Sequence, residues 1–256
     1  MTVPVNFKLF LDEMGDTARF MWRFFSEGFK PRYEFGELVR QSFYIGYKSL
    51  PLVGITAFIM GLVLTIQSRP TLVEFGAESW LPAMVSVSLV REISPMITAL
   101  ICAGKIGSSI GAELGSMKVT EQIDAMEVSG TNPFKYLVAT RVLAATLMLP
   151  LLSLWANAIA LYGAYLGVNI KGVVSWDLYW TQVFHSLSYS DFIPALVKTF
   201  FFGFTIGMIG CYKGYNSKKG TEGVGQSANS AVVVSSLLIF VLDLIAVQIT
   251  DLLGFN

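Results

Sequence analysis

Five long apolar stretches dominate the sequence, and each is long enough to cross a lipid bilayer as a helix. A spanning α-helix needs about 20 predominantly apolar residues. The stretches lie at about Leu50–Gln67, Pro82–Gly111, Val142–Val168, Phe192–Tyr212 and Asn229–Thr250. The pattern predicts an all-α integral membrane protein with a single domain over residues 1–256.

The segment before the first span, residues 1–47, has a different pattern. Apolar and charged residues alternate there at roughly helical spacing, which is typical of a helix lying in the headgroup plane. The alternative is an amphipathic helix packed on the rest of the protein. The apolar positions are Phe7, Leu9, Phe10, Leu11, Met14, Phe20, Met21, Trp22, Phe24 and Phe25. We expect this interfacial helix to lead into the first span of a five-span bundle that occupies residues 48–256.

Composition supports a membrane protein and narrows the function. Hydrophobic residues make up 54% of the chain and charged residues 14%, against about 25% charged in soluble domains. The net charge of +0 gives no indication of nucleic-acid binding. His185 is the only histidine and has no cysteine cluster near it, so the sequence predicts a loop residue and no metal site.

The distribution of lysine and arginine predicts the orientation in the membrane. These residues are frequent before the first span and in the loops after the second and fourth spans, whereas the opposite side has only Arg69 and Lys171. Because basic loops stay in the cytoplasm, the N-terminus is expected inside and the C-terminus outside.

Motifs for catalysis within this chain are missing from the sequence. Gly104-Lys105 is followed by Ile106 rather than the Ser or Thr of a phosphate-binding loop. One histidine cannot form a zinc-protease motif, and a G-x-S-x-G nucleophile elbow is also lacking. The sequence therefore predicts no catalytic residues and no cofactor in this chain, so energy for transport must come from an ion gradient or another subunit.

Small residues recur at every fourth position in two spans. Gly203 and Gly207 do so in the fourth span, and the second span has the longer run Ala103, Gly107, Gly111 and Gly115. Such faces let helix backbones approach closely in a bilayer. Packing within the chain and a seam between two copies are both compatible with this pattern.

Besides Lys105 in the second span, the predicted spans contain four charged residues: Arg91, Glu92, Lys198 and Asp243. Counted along their helices, they fall at a similar depth, about 9–14 Å from the outer ends at 1.5 Å per residue. They predict either a structural ion-pair network or a polar patch in an outward-facing cavity that binds a lipid headgroup. Pro95 would distort the second span beside them. If the cavity is apolar instead, Leu64 and Gln67 at the outer end of the first span are the candidates.

The cytoplasmic stretch 116–129 reads SMKVTEQIDAMEVS and predicts a short independent helix. Val119, Ile123 and Met126 form an apolar stripe at i, i+4 and i+7. The polar candidates for contact with an ATPase are Lys118, Glu121, Gln122, Asp124 and Glu127. Docking into a groove of a cytoplasmic partner and resting on the membrane surface are equally compatible with these residues.

From Arg91 to Ala144 the sequence resembles the MlaE/YrbE family of permeases. The resemblance rests on the runs REISP, AGKIGSSIGAELG, MKVTEQIDAME and TRVLA. It implies a homodimeric permease in the bacterial inner membrane that moves phospholipid between inner and outer membranes. The implied partners are a cytoplasmic ABC ATPase that binds ATP, a periplasmic Mce-domain protein and a small STAS-type subunit. The 116–129 segment would then be the coupling helix. Family members often have Arg where this chain has Lys105, which keeps the charge.

Two other functions remain compatible with the residues alone. The buried charges would suit an ion-coupled secondary transporter, although the sequence shows no inverted repeat of broken helices. A non-transporting scaffold subunit would tolerate neutralisation of those charges, whereas a transporter would not.

The predicted orientation can be tested by labelling. In a variant without native cysteines, single cysteines at Ser217 and Asn256 should react with a membrane-impermeant reagent from opposite sides of the membrane. Equal labelling of both positions from outside would contradict the five-span topology.

Overall fold

The computed structural model describes the backbone of residues 5–28 and 34–254, and the side chains of residues 15–28 and 34–254. The predicted apolar positions from Phe7 to Met14 therefore lie outside the described side chains. Within the described residues, all the regular secondary structure is helical. The α-helices are α1 (Val5–Glu27), α2 (Phe35–Ile45), α3 (Leu50–Glu74), α4 (Leu81–Ser88), α5 (Ser94–Cys102), α6 (Ser108–Val119), α7 (Gln122–Val128), α8 (Thr140–Asn169), α9 (Trp176–Ser186), α10 (Tyr189–Tyr215) and α11 (Thr221–Leu252).

Five helical segments of the described chain are long and apolar enough to span a membrane, which confirms the predicted number. They are Phe35–Glu74, Glu78–Val119, Phe134–Asn169, Tyr189–Tyr215 and Thr221–Leu252. The second span joins α4, α5 and α6 through π-helical turns at Leu89–Ile93 and Ala103–Gly107. Its 42 residues extend about 63 Å at 1.5 Å per residue, so it projects well beyond a hydrocarbon core of about 30 Å.

Helix α8 occupies the centre of the bundle, where it packs mainly against α3 and α10. Its central position fits its sequence, because the predicted span is free of charged residues and carries small residues on several faces. A Cβ atom added at Gly163 would lie 2.4 Å from the Phe58 carbonyl oxygen, and one added at Gly61 would lie 2.0 Å from that of Ala160. Glycine is therefore required where α3 and α8 cross.

The glycine faces predicted in the second and fourth spans pack within the chain. Gly111 lies against the backbone of Ser227 and Ala228 on α11. Gly107 and Gly115 lie beside α11 as well. On α10, Gly203 and Gly207 meet the α8 backbone. For the described residues, these contacts favour intrachain packing over a seam between copies.

Helix α1 packs on the bundle through one aromatic edge. The rings of Phe20 and Phe134 lie 4.9 Å apart, and Phe24 is buried against Phe204 at 5.8 Å. Trp22 is exposed on the helix. Packing on the protein therefore accounts for part of the amphipathic pattern, and the aromatic side chain of Trp22 is left exposed.

Helix α9 was not predicted, and the expectation that His185 lies in a loop was wrong. His185 is exposed near the end of this helix, which begins where the Ser175 hydroxyl accepts a hydrogen bond from Leu178 N. The helix holds 11 residues, too few for the window that identifies a span. Inward-facing Tyr179 donates a hydrogen bond to the Leu161 carbonyl at 2.9 Å and fixes α9 to α8.

The close approach of α3 and α8 predicts that the stability of the protein depends strongly on the glycine at position 163. Gly163→Ala should lower the unfolding free energy by about 1–3 kcal/mol, the usual cost of overpacking a core, measured by thermal unfolding in detergent. Gly225→Ala is the matched control, because a Cβ there has nothing within 4 Å. That variant should be unchanged or slightly stabilised. Equal stability of the two variants would show that the helices separate without cost.

Candidate functional site

The second span is distorted where it carries its first two charges. Arg91 and Glu92 lie in the π-helical turn Leu89–Ile93, directly before Pro95. Proline has no N–H to donate to the carbonyl four residues earlier, which here belongs to Arg91. The distortion predicted at Pro95 is therefore present as a π-turn, a feature that is frequent at functional sites.

Lys198 connects three spans through two carboxylates. Its ammonium Nζ lies 2.5 Å from Glu92 Oε2 on the second span and 2.9 Å from Asp243 Oδ1 on α11. Only the first contact has hydrogen-bond geometry, so the second is an ion pair. The Lys198 side chain is 5% exposed. Because an unpaired ammonium in such a position costs several kcal/mol, the two carboxylates hold α10 against its neighbours.

Arg91 pairs with a residue that sequence reasoning missed. Its Nη1 atom lies 3.6 Å from Asp191 Oδ1. Asp191 also accepts hydrogen bonds from the backbone N and hydroxyl of Ser188, which form a capping box at the start of α10. Sequence reasoning began the fourth span at Phe192 and so left this aspartate outside it. The Ser-x-x-Asp spacing from Ser188 is the N-terminal signal that could have found it.

We call these five residues (Arg91, Glu92, Asp191, Lys198 and Asp243) the charged cluster. Its three carboxylates and two cations sum to −1 when all are ionised. A crevice of about 20 Å³ lies over the cluster, between the second span, α10 and α11. That volume accommodates about one water molecule. The cavity of headgroup size that the sequence suggested is therefore closed in this single chain, because the paired side chains fill the space.

Arg91 and Glu92 have the most exposed side chains of the charged cluster. Their side chains are 32% and 37% exposed, and both line the crevice. Leu64 and Gln67 lie elsewhere, on α3, which packs mainly against α8. Leu64 is half-buried against the core and Gln67 is exposed. The structure thus brings four of the six predicted substrate-path residues together.

The segment 116–129 differs from the predicted single helix. Helix α6 continues through Gly115 to Val119, the chain turns at Glu121 with φ 59°, and a separate helix α7 begins at Gln122. Gly115 does not end the helix because its backbone packs beside Ser217 and Val224. The turn is fastened by an ion pair of 2.7 Å between Lys118 and Asp124.

The apolar stripe of this segment faces the protein. Ile123 is buried and Met126 packs against the core. The outer surface is acidic, with an exposed valine, Val128, at its end. We call this surface the acidic face, and its charged members are Glu121, Asp124 and Glu127. Gln122 is exposed beside them.

Comparison with known proteins identifies the family. The family model described as Permease MlaE matches residues 38–249. A probable ABC transporter permease protein of Rickettsia typhi is 42% identical over 95% of this chain and 93% of its own. The intermembrane phospholipid transport system permease protein MlaE of Haemophilus influenzae is 36% identical over 85% of this chain and 84% of its own.

A relative outside the bacteria is similar over most of its length. A probable ABC transporter permease protein of Pyropia yezoensis is 35% identical over 95% of this chain and 92% of its own. The matches extend far beyond the stretch Arg91–Ala144 that carries the family motifs, and they agree with the helical, multi-span structure. The chain therefore belongs to the MlaE permease family and is a transmembrane permease subunit of an ABC transporter.

Proposed function

We propose that this permease moves phospholipid between the inner and outer membranes, driven by ATP hydrolysis in a separate subunit. The name of the Haemophilus influenzae relative supports phospholipid as the substrate. The observation that carries the proposal is the charged cluster, because intramembrane charges are costly unless paired and commonly mark a substrate pathway. Glu92, Lys198 and Asp243 join three spans there, so a change at the cluster shifts the spans relative to one another.

The exposed side of the cluster favours a zwitterionic headgroup. Arg91 and Glu92 are adjacent, have opposite charges and both line the crevice. A guanidinium binds phosphate oxygens well, and a carboxylate can accept hydrogen bonds from an ammonium group. A phospholipid that carries both a phosphate and an amine matches this pair, whereas the net charge of −1 disfavours a headgroup with phosphate alone. Binding requires α10 or α11 to move, since the crevice now holds about one water molecule.

The acidic face of α7 is proposed as the docking surface for the ATPase. It is exposed, while the apolar side of the segment is already packed on the protein. The complementary partner surface is a groove with basic residues. Docking there applies force to α6 through the Lys118–Asp124 pair and the covalent turn.

The wider assembly follows from family membership as part of this proposal. It comprises two copies of the permease, the ATPase subunits, a periplasmic Mce-domain protein and a small STAS-type subunit. The permease would lie in the inner membrane with its N-terminus in the cytoplasm and its C-terminus in the periplasm, as the lysine and arginine distribution favours.

Lys198→Met should be the most damaging single change in the charged cluster. It leaves Asp243, whose side chain is 14% exposed, without its cation, and a stranded buried charge costs about 3–5 kcal/mol. Adding Asp243→Asn should restore folding, because the remaining Glu92 is 37% exposed and can be hydrated. Size-exclusion profiles and thermal unfolding would measure both effects.

The folded double variant is then the background for a test of transport itself. We expect Lys198→Met with Asp243→Asn to support ATP hydrolysis by the partner; adding Glu92→Gln to it removes a proposed headgroup contact and should abolish photo-crosslinking of phospholipid. The control removes an exposed ion pair of 3.4 Å through Asp16→Asn with Arg19→Gln, and it should crosslink normally. Normal crosslinking in the triple variant would reduce the cluster to a structural role and remove it from the lipid path.

Charge reversal on the acidic face tests coupling. Glu121→Lys with Glu127→Lys should weaken ATPase binding at least about tenfold, since hydrogen bonds to charged groups contribute about 1.5–3 kcal/mol each. Asp124 is left unchanged because it also fastens the turn to Lys118. Copurification of the ATPase and ATP turnover are the measurements.

The matched control for coupling is Glu34→Lys, which reverses an exposed glutamate before α2. It should copurify with the ATPase at the normal level. If the acidic-face variant also retains the ATPase with normal turnover, the face is merely solvated and docking occurs elsewhere.

A further inference from the structure

A second polar crevice, larger than the one over the charged cluster, lies where α2 leads into the first span. Its volume is about 490 Å³, and it separates α2 and the 3-10 turn Tyr47–Ser49 from the second span. We call it the basic crevice. The lining residues that carry its chemistry are Arg40, Tyr44, Lys48, Ser49, Lys105 and Glu113.

The charges around the basic crevice leave an excess of cations. Lys48 lies 3.8 Å from the centre of the Tyr44 ring, and the Lys105 ammonium donates to the Lys48 backbone carbonyl. Glu113 is bound by Arg141 at 2.8 Å. On α2, Arg40 has Glu37 beside it at 3.5 Å. In this part of the described chain there are thus two carboxylates, Glu37 and Glu113, and four cations: Arg40, Lys48, Lys105 and Arg141.

Ser49 adds a buried polar group to the wall of the same crevice. Its residue is 1% exposed, and its hydroxyl has no hydrogen-bond partner among the described residues. Buried hydroxyls are normally satisfied, so an acceptor is missing at this wall. The π-turn Ala103–Gly107 carries Lys105 on the opposite wall.

We propose that the basic crevice binds a phosphate group, supplied by an anionic phospholipid of the cytoplasmic leaflet or by soluble phosphate. The ammonium groups of Lys48 and Lys105 and the guanidinium of Arg40 donate to its oxygens, and the Ser49 hydroxyl completes the set. This site is separate from the charged cluster. Lys105 follows Arg91 by about 21 Å along the second span, at 1.5 Å per residue.

The surroundings of the crevice favour the lipid as the source. Lys48 comes two residues before α3 begins at Leu50. Exposed Phe43, Tyr44 and Tyr47 lie just before it, with the rings of Phe43 and Tyr47 stacked at 5.0 Å. Aromatic residues of this kind gather at the membrane–water interface. Basic pockets between helices at that depth on the cytoplasmic side suit anionic headgroups.

Native mass spectrometry of the full-length permease in detergent tests this site. The protein is mixed with equal amounts of phosphatidylglycerol and phosphatidylcholine, and separately with inorganic phosphate. We expect preferential retention of one phosphatidylglycerol, and a reduction of at least about tenfold, the effect of losing one charge-assisted hydrogen bond, in the variant Lys48→Gln with Lys105→Gln. Preferential retention of phosphate, lost in the same variant, would identify the soluble anion as the source.

Two controls separate binding from folding. Lys219→Gln removes an exposed lysine from the loop before α11 and should retain phosphatidylglycerol fully. If the double glutamine variant does not fold, Lys105→Arg and Lys105→Gln are compared instead: retention in the first and loss in the second supports the site. The proposal is overturned if the folded glutamine variants still retain the anion. It is also overturned if the native protein retains phosphatidylglycerol no better than phosphatidylcholine and does not retain inorganic phosphate.

Discussion

The ammonium group of Lys198 is withdrawn from water inside a lipid-embedded bundle, and the surrounding spans are arranged so that it is neutralised. It lies 2.5 Å from Glu92 and 2.9 Å from Asp243. Its removal from water would cost several kcal/mol without these partners. The pairing holds α10 to both the second span and α11. A structural network and a substrate path are therefore two uses of the same contact, because a ligand that competes for Glu92 would also loosen the helices.

The spans that Lys198 joins also pack closely through small residues. Lipid tails supply little drive for apolar helices to associate, so close packing of small residues must do so. The α10 glycines at 210 and 214 lie beside the carbonyls of Gly107 and Gly111 on the second span, and Gly111 also meets the α11 backbone. The same three elements are joined by Lys198. The glycine contacts and the charged cluster thus join the same three elements at two levels, since Gly210 lies about 18 Å along α10 from Lys198.

The sequence predicts those parts of the structure that depend on strong local signals. Long apolar runs identify the spans, and isolated charges inside them identify Glu92, Lys198 and Asp243. Asp191 was missed because it belongs to a cap, and a hydropathy boundary excludes caps. The break before α7 was missed because Glu121 adopts a left-handed backbone conformation. A glutamate in a sequence rarely predicts that conformation. The closed crevice depends on side-chain packing between distant helices, which no single segment encodes.

The second span connects the charged cluster, the basic crevice and the α7 turn. It carries Glu92 at the charged cluster and Lys105 at the basic crevice, and it ends at Val119 beside the α7 turn. From Glu92 to Val119 is about 40 Å along the helix, a distance over which an uninterrupted helix would transmit displacement rigidly. The span is instead interrupted by π-turns at Arg91–Glu92 and at Lys105. Such π-turns are rare and occur frequently at functional sites. Under the proposed docking at α7, one interruption lies between the acidic face and the Glu92–Lys198 pair and the other contains Glu92 itself, so the connecting helix is not a single rigid rod.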